Sequence, residues 1–513
     1  MRLWSLAKHV SENRMFCARF GPKLCIGSNS NALARTMQLE NFDREQLYRA
    51  LLSRDARFDG RFFVGVTSTG IYCRPVCRVR APKPENCLFF ATAMQAEAAN
   101  FRPCLRCRPE NAPGWSTTDA SGVLAHQAVR LIEQGVEGNL AALSRRLGVT
   151  DRHLRRLFKD RFGVTPGQYL RTRRLLLAKS LLTDTQLPVI EVAKLAGFGS
   201  LSGFHQLFKA CYRMSPARLR QSGGRTQGPL RFKLSYRPPF DWSGLLGYLS
   251  VRAIEGIEAV IDGAYCRSVA IKDARGNLHE GWLMVSSLET ENALELTLSD
   301  SLAAVIPKCL ARVRAMFDLD ADPGRINQVL KELSADCPGL RIPGSWDGFE
   351  MACRAVLGQL ISVRAATTLA GRLAALAELP ITSPWPSVYR RFPLPDELVS
   401  LELDQIGQQG ITRRSIEAMR EIAIACLEGR LDLTHGGDPA EARRLLLAVR
   451  GVGEWTSGYV SMRVFGWPDA FLAGDLGVRK ALGEISAQEA AGIAERWRPW
   501  RSYAVMHLWR GLA

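Results

Sequence analysis

VRGVGEWTSGYVSMRVFGWPDAFLAGDLGVRKAL, residues 449–482, carries the pattern on which the reading of the chain turns. The residues from Leu445 to Gly451 have helical spacing, Gly451 and Gly453 interrupt it, and a second helical run starts at Trp455. Two glycines one residue apart permit a tight turn whose backbone N–H groups can approach a phosphate closely. Asp475 follows Gly474 and precedes another helical run, so its carboxylate suits an N-cap, where it would bind free backbone N–H groups. The same carboxylate could steady a positive charge developing as a bond breaks, and the two uses are compatible.

Outward from this stretch, the pattern is nearly all helical from Leu302 to Ala513. Before it come strand-like runs, LRFKLSY from Leu230, then AYCRSVAI, WLMVSSL and ALELTLS. QSGGRTQGP, residues 221–229, is a polar Gly-rich linker. Residues 120–220 are strongly helical, and residues 37–114 mix short strand-like runs such as RFFVGV with turns. Residues 1–36 show no periodicity and read as a disordered tail or an upstream start. A chain of 513 residues exceeds one core, and 47% apolar content excludes a mostly disordered chain. No run of eighteen apolar residues occurs and no secretion signal opens the chain, so a cytoplasmic protein with no membrane contact is expected.

Charge is unevenly spread. Residues 1–225 hold 36 of the 68 Lys and Arg but 16 of the 50 acids, a net of +20, which leaves −2 for the rest. A front half this basic suits phosphate contacts, though a basic soluble surface would give the same count. Within it, NLAALSRRLGVTDRHLRRLFKDRFG, residues 139–163, reads as helix, turn at Gly148, helix. Leu154, Leu157 and Phe158 share one face, and Arg152, Arg155, Arg156 and Lys159 the other, the layout of a helix that enters a major groove. Residues 188–216 repeat the plan around Gly197, with Phe204, Leu207 and Phe208 inward.

Thirteen cysteines in a cytoplasmic chain argue against a disulfide framework. Nine are scattered and read as small buried hydrophobes. The other four form two close pairs, Cys73 with Cys77 and Cys104 with Cys107, and each pair can span one edge of a tetrahedron around a single Zn2+. Pro75 and Pro103 stiffen the turns that present them. Spacing alone leaves open whether such a zinc is structural or reactive. Arg74, Arg78, Arg80, Arg102, Arg106 and Arg108 surround the cluster, as phosphate ligands or as a solvated basic face.

Three resemblances sharpen this reading. RDARFDGRFFVGVTSTGIYCRPVCRVRAP with NFRPCLRCRPE resembles the methylphosphotriester-repair domain of the Ada family over about residues 40–112. It implies four zinc ligands, Cys73, Cys77, Cys104 and Cys107, with Cys73 as methyl acceptor. Arg78 stands where that family usually has proline. Residues 120–220 resemble the AraC-type regulator domain, with Gly203 where a basic residue is common. From 230 to 513 the chain resembles the AlkA-type 3-methyladenine DNA glycosylases, through GLLGYLSVRA, GSWDGFEMACRAVLGQLISV, the stretch quoted first and ERWRPWRSYAVMHLW.

The expected architecture is therefore multidomain: a small α+β zinc domain (37–114), an all-α double helix-turn-helix (115–220), the linker 221–229, an α+β domain (230–345) and an all-α helix-hairpin-helix domain (346–513). The last resemblance implies that Asp475 is catalytic, that Trp455, Tyr459, Trp509 and Tyr248 form an aromatic pocket for an alkylated base, and that Leu360 wedges into the gap a flipped base leaves. Gly451 and Gly453 would meet the backbone of the double-stranded DNA, and Arg74, Arg102, Arg152, Arg155, Arg156 and Lys159 would contact it elsewhere. Leu476 replaces a tyrosine of the family's well-known member. Trp455 takes the place of the Schiff-base lysine of lyases, so strand cleavage is not expected. Only Cys426 follows Cys353, so no iron–sulfur cluster is expected. No Pro-Cys-His-Arg tetrapeptide occurs, so no O6-methylguanine transfer is expected. A monomer that engages RNA polymerase at promoters is the implied regulatory state. A regulator without glycosylase activity, and an enzyme merely tethered by its helix-turn-helix pair, are the alternatives.

Overall fold

The computed structural model describes residues 43–114, 123–133, 140–221, 229–273 and 275–512, and the tail 1–36 and most of the linker lie outside these. Helix Arg44–Ser53 precedes a four-stranded sheet of β1 (Phe63–Val66), β2 (Ile71–Cys73), β3 (Cys87–Phe90) and β4 (Arg102–Pro103), in the order β3-β1-β2-β4. The β1–β2 hairpin turns at Gly70, whose φ of +65° favours glycine. The short β4 joins β2 in parallel, with Tyr72 opposite Pro103, and so carries Cys104 up to Cys73.

Beyond it the chain is helical. Asp151–Phe162 and Leu201–Tyr212 are the second helices of the two helix-turn-helix units, and Pro166–Asp184 joins the units. Thr150 and Ser200 cap the two second helices through side-chain oxygens, and Gly148 and Gly197 turn with positive φ. Leu154, Phe158, Phe204 and Phe208 are fully buried, so the apolar stripes face inward as their spacing predicts.

A five-stranded antiparallel sheet follows, β5 (Leu230–Ser235), β6 (Glu258–Ile261), β7 (Ala264–Lys272), β8 (Leu278–Leu288) and β9 (Ala293–Leu298), in the order β5-β9-β8-β7-β6. Strand β6 went unread in the sequence because it is only four residues long and half-exposed. Helices then dominate to the C-terminus, among them Gly348–Leu357, Val363–Leu376, Pro439–Ala448, Glu454–Phe465, Leu476–Ala481 and Arg501–Arg510. No helix among the described residues is long and apolar enough to cross a membrane.

The described residues from Arg44 onward pack as one compact unit, and its cores ignore the sequence segments. Leu181, Phe204 and Phe208 share a cluster with Phe232, Leu283 and Leu296 of the five-stranded sheet. Tyr72 and Phe90 share another with Leu154 and Phe158. Ile326 and Ile342 pack with Trp500 and Tyr503 near the C-terminus.

Asp318 sits at this last junction, accepting from Tyr503 Oη at 2.7 Å and from Ile342 N at 3.3 Å. Burial pushes its carboxyl up to about 6 against the nearby Arg341. An acid whose folded pKa is raised stabilises the fold while protonated, so this contribution is full below about pH 4 and is lost as pH rises through 6. Asp318→Asn, which cannot ionise, is expected to remove that fall from the profile of melting temperature between pH 4 and 7.

Candidate metal centre and carboxylate pocket

Cys73 ends β2, and Cys77 follows in a turn closed by Cys77 N to Arg74 O at 3.1 Å. Cys104 N donates to Tyr72 O at 3.0 Å, so the parallel β2–β4 pairing fixes the second pair against the first. The four sulfurs all lie within 4.8 Å of one another, and among the described residues no other group of three or more ligating side chains is so placed. Four Zn–S bonds near 2.3 Å would set the sulfurs about 3.8 Å apart, so closure on one ion needs only small adjustments. Hydrogen bonds from Cys107 and its neighbours hold the Cys104 thiol far below the usual range, while the bond with Cys104 pushes Cys73 far above it. Four thiolates cannot share this volume without a dication, and the donor set fits Zn2+. Arg74 N, pointing at Cys107 Sγ from 3.3 Å, supplies an outer hydrogen bond to the cluster. A largely apolar cavity of about 310 Å³ opens onto Cys73, Cys77 and Cys104, walled by Leu51, Val64 and Ile71.

The arginines around the cluster divide. Arg74 is corrected from a phosphate ligand to an internal strut: it is buried, its guanidinium grips both oxygens of buried Asp59, and Nη1 donates to Cys107 O at 3.1 Å. Arg108 is likewise engaged, by Glu110 and Asp184. Arg102 is half-buried, and Arg78, Arg80 and Arg106 face solvent. On helix Asp151–Phe162, Arg152, Arg155, Arg156 and Lys159 are all exposed opposite the buried stripe.

In the C-terminal region, helices Pro439–Ala448 and Glu454–Phe465 flank a hairpin in which Gly451 has φ +96° and Gly453 is the N-cap residue. A side chain at Gly451 would be strained, and one at Gly453 would meet nothing within 4 Å. Gln359 Nε2 donates to Gly451 O at 2.9 Å and to Thr456 Oγ1 at 2.8 Å, tying the loop before Val363 to this hairpin. The next residue, Leu360, is completely exposed in a left-handed conformation with φ +61°. A leucine held so, with no packing of its own, is poised for an outside partner.

Asp475 caps helix Leu476–Ala481, its Oδ1 accepting from Val478 N at 2.8 Å. It does more than cap. Trp455 Nε1 donates to Oδ2 at 2.8 Å and Trp509 Nε1 to Oδ1 at 2.8 Å. Three N–H donors hold the half-buried carboxylate in place. Trp455 stacks on Tyr459 at 5.2 Å with a 10° interplanar angle, and Trp509 lies 6.3 Å beyond Tyr459. Tyr248, from a helix two hundred residues earlier, joins them through Arg463, whose Nη1 donates to Tyr248 Oη at 2.8 Å and to Tyr459 Oη. The four aromatic residues and Asp475 therefore converge. Leu476 stands beside them, 77% exposed. The sequence reading missed Arg463 and the indole donors, although Trp455, Tyr459 and Arg463 recur every fourth residue on one helix face.

Three families match in tandem: the metal binding domain of Ada over residues 46–110, a helix-turn-helix domain over 143–222 and the AlkA N-terminal domain over 231–347. Fold and family matches define a protein of the DNA-glycosylase type fused to a zinc-binding and DNA-binding front half. Over 490 residues, 92% of this chain and 97% of the other, it is 36% identical to the "Probable bifunctional transcriptional activator/DNA repair enzyme AlkA" of Mycobacterium tuberculosis. The C-terminal 54% is 36% identical to 96% of the DNA-3-methyladenine glycosylase 2 of Escherichia coli, and 35% of this chain is 34% identical to 49% of its bifunctional transcriptional activator/DNA repair enzyme Ada. The chain belongs to the family of the bifunctional AlkA proteins.

Purified protein is expected to carry one zinc per chain, released when a mercurial blocks its thiols. Cys77→Ser is expected to lower zinc content and to unfold residues 44–114 at lower denaturant concentration, because metal binding here is folding energy. Wild-type protein that folds normally without zinc would contradict the assignment.

Proposed function

We propose that this protein repairs alkylated DNA twice over and signals the damage to transcription. The observation that carries the reading is the Asp475 carboxylate, fixed by two indole N–H groups that belong to its aromatic pocket. A flipped alkylpurine would stack among Trp455, Tyr459, Trp509 and Tyr248, favoured by its positive charge against electron-rich rings. As the C1′–N bond lengthens, the sugar turns cationic and the carboxylate stabilises it. Water adds to C1′, its proton passes to solvent through the carboxylate, and an abasic site remains. Because the two indoles position both base and carboxylate, a base seated correctly brings its sugar to the charge. Leu360 would fill the vacated stack. The reaction is hydrolytic only, since the indole of Trp455 offers no amine for an imine.

In the front half, the Cys73 thiolate would attack the methyl carbon of a methylphosphotriester. An S–C bond forms, the C–O bond breaks, and the phosphodiester leaves as an anion. Bound zinc keeps the cysteine ionised at neutral pH. The product is a thioether, so transfer is stoichiometric. It lowers the negative charge of the cluster by one, repulsion of DNA phosphates falls, and the recognition helix with Arg152, Arg155, Arg156 and Lys159 binds its operator more tightly. Exposed Arg78, Arg80 and Arg106, with Arg102, suit the phosphate contacts. Contact with RNA polymerase, a monomeric state and a cytoplasmic location complete the proposal.

Excision from methylated duplex is expected to slow at least about 100-fold in Asp475→Asn with binding retained; unchanged release of 3-methyladenine would remove Asp475 from the chemistry. Leu360→Ala is expected to leave stability within about 0.5 kcal/mol, because the side chain packs on nothing, while excision from duplex falls. Mass spectrometry after exposure to methylated DNA should find a single methyl group on Cys73, and operator affinity should rise. Equal affinity before and after would refute the charge switch.

A further inference from the structure

Behind the stacked rings sits a cation that no acid neutralises. Arg463 lies one turn after Tyr459 and two after Trp455, and is 3% exposed. Its guanidinium donates to Tyr248 Oη at 2.8 Å, to Tyr459 Oη, to Pro343 O and, at 3.4 Å, to Gly344 O. Its Cζ is 5.2 Å from the ring centroid of each tyrosine. Neighbouring buried arginines are paired, Arg354 with Glu258 and Glu350, and Arg267 with Glu350. No carboxylate pairs with Arg463 among the described residues. Arg252, with its Cζ 3.7 Å from the Tyr248 centroid, adds a second positive charge on the same side. Burying a guanidinium without a counter-ion is costly, so the fold sustains this charge against a penalty.

Asp475 binds Trp455 at the start of the helix, and Arg463 lies eight residues along it, about 12 Å at 1.5 Å per residue. The aromatic row thus has a carboxylate at one end and a guanidinium at the other. The field already reaches the rings: burial is the largest single influence on the Tyr459 phenol and raises it, yet Arg463, Arg252, the Tyr248 hydroxyl and Arg354 together bring it below its ordinary value.

We infer that Arg463 is a positioning and polarising residue of the base pocket, drawing the electrons of the breaking glycosidic bond toward the departing base. The inference rests on the excision reading above. The C1′–N bond breaks heterolytically, its electron pair goes to the base nitrogen, and C1′ becomes cationic beside Asp475. An N-alkylated purine starts as a cation and leaves neutral. A neutral purine such as hypoxanthine starts neutral and leaves as an anion, later protonated by water. In both cases the base gains one unit of negative charge, which a fixed cation on its side stabilises. For the alkylated base the same cation opposes ground-state binding, so affinity is given up for rate. Nothing comparable penalises binding of the neutral base.

The test uses the full chain in single turnover on duplexes containing either one 7-methylguanine or one hypoxanthine. Arg463→Met is expected to slow excision of both roughly tenfold, about 1.4 kcal/mol of barrier. It should also tighten binding of the 7-methylguanine duplex while leaving that of hypoxanthine unchanged. Arg463→Lys, which keeps the charge, should recover most of the rate. Unchanged rates in Arg463→Met would overturn the inference. So would equal losses of rate and affinity on both duplexes with no recovery in Arg463→Lys, the signature of simple packing. If Arg463→Met does not fold, Arg463→Lys decides alone: a rate within about threefold of wild type supports the inference, and a collapse overturns it. Failure of wild-type protein to release either base would instead sink the excision reading, and this inference with it.

Discussion

Burial of apolar surface across segment boundaries is the constraint on which the rest of the molecule depends. The five-stranded sheet leaves one face of Phe232, Leu283 and Leu296 to be covered, and helices bearing Leu181, Phe204 and Phe208 cover it. The small sheet around the thiols does the same with Phe90 and Tyr72 against Leu154 and Phe158. A sheet of two to four residues per strand cannot bury a core alone, so it borrows one from the first helix-turn-helix unit.

Polar contacts follow the apolar ones and lock their register. Fully buried Lys179, on the helix that joins the two helix-turn-helix units, donates to both oxygens of Glu110 at 2.6 Å and approaches Cys104 O at 3.4 Å. The helix between the two helix-turn-helix units is thereby tied to one of the four clustered cysteines. Arg61 grips Asp322, and Gly114 N donates to Asp320 at 2.6 Å, fastening the thiol region to the segment after the large sheet. Arg130, from helix Val123–Glu133 just ahead of the first helix-turn-helix unit, donates to Phe465 O at 2.6 Å, the C-terminal end of the helix whose other end carries Gly453 and Trp455. A cation at that end complements the helix dipole. The helix that organises the carboxylate pocket is thus anchored by the regulatory half.

Local patterns made much of this legible. The two cysteine pairs, the helix-turn-helix stripes, the Gly-x-Gly hairpin and the cap position of Asp475 each depend on residues a few positions apart, where period and turn chemistry act directly. Arg74 shows where such reasoning stops. A run of arginines around thiols looks uniformly basic, yet one of them is spent on Asp59, fifteen residues away, and another on Asp184, seventy-six away. Charge on paper becomes surface charge only after the fold has chosen internal partners.

The chain's own spacing determined the element types, the tetrathiolate and the carboxylate before its helix, because these rest on backbone geometry and on the ligand demands of one ion. The tertiary structure alone decided that Tyr248 reaches Tyr459 through Arg463, that two indoles hold Asp475, and that a polar linker joins halves sharing a core. Such contacts join residues tens to hundreds of positions apart. Their energy comes from desolvation and packing that exist only once the intervening chain has folded, so no local pattern records them.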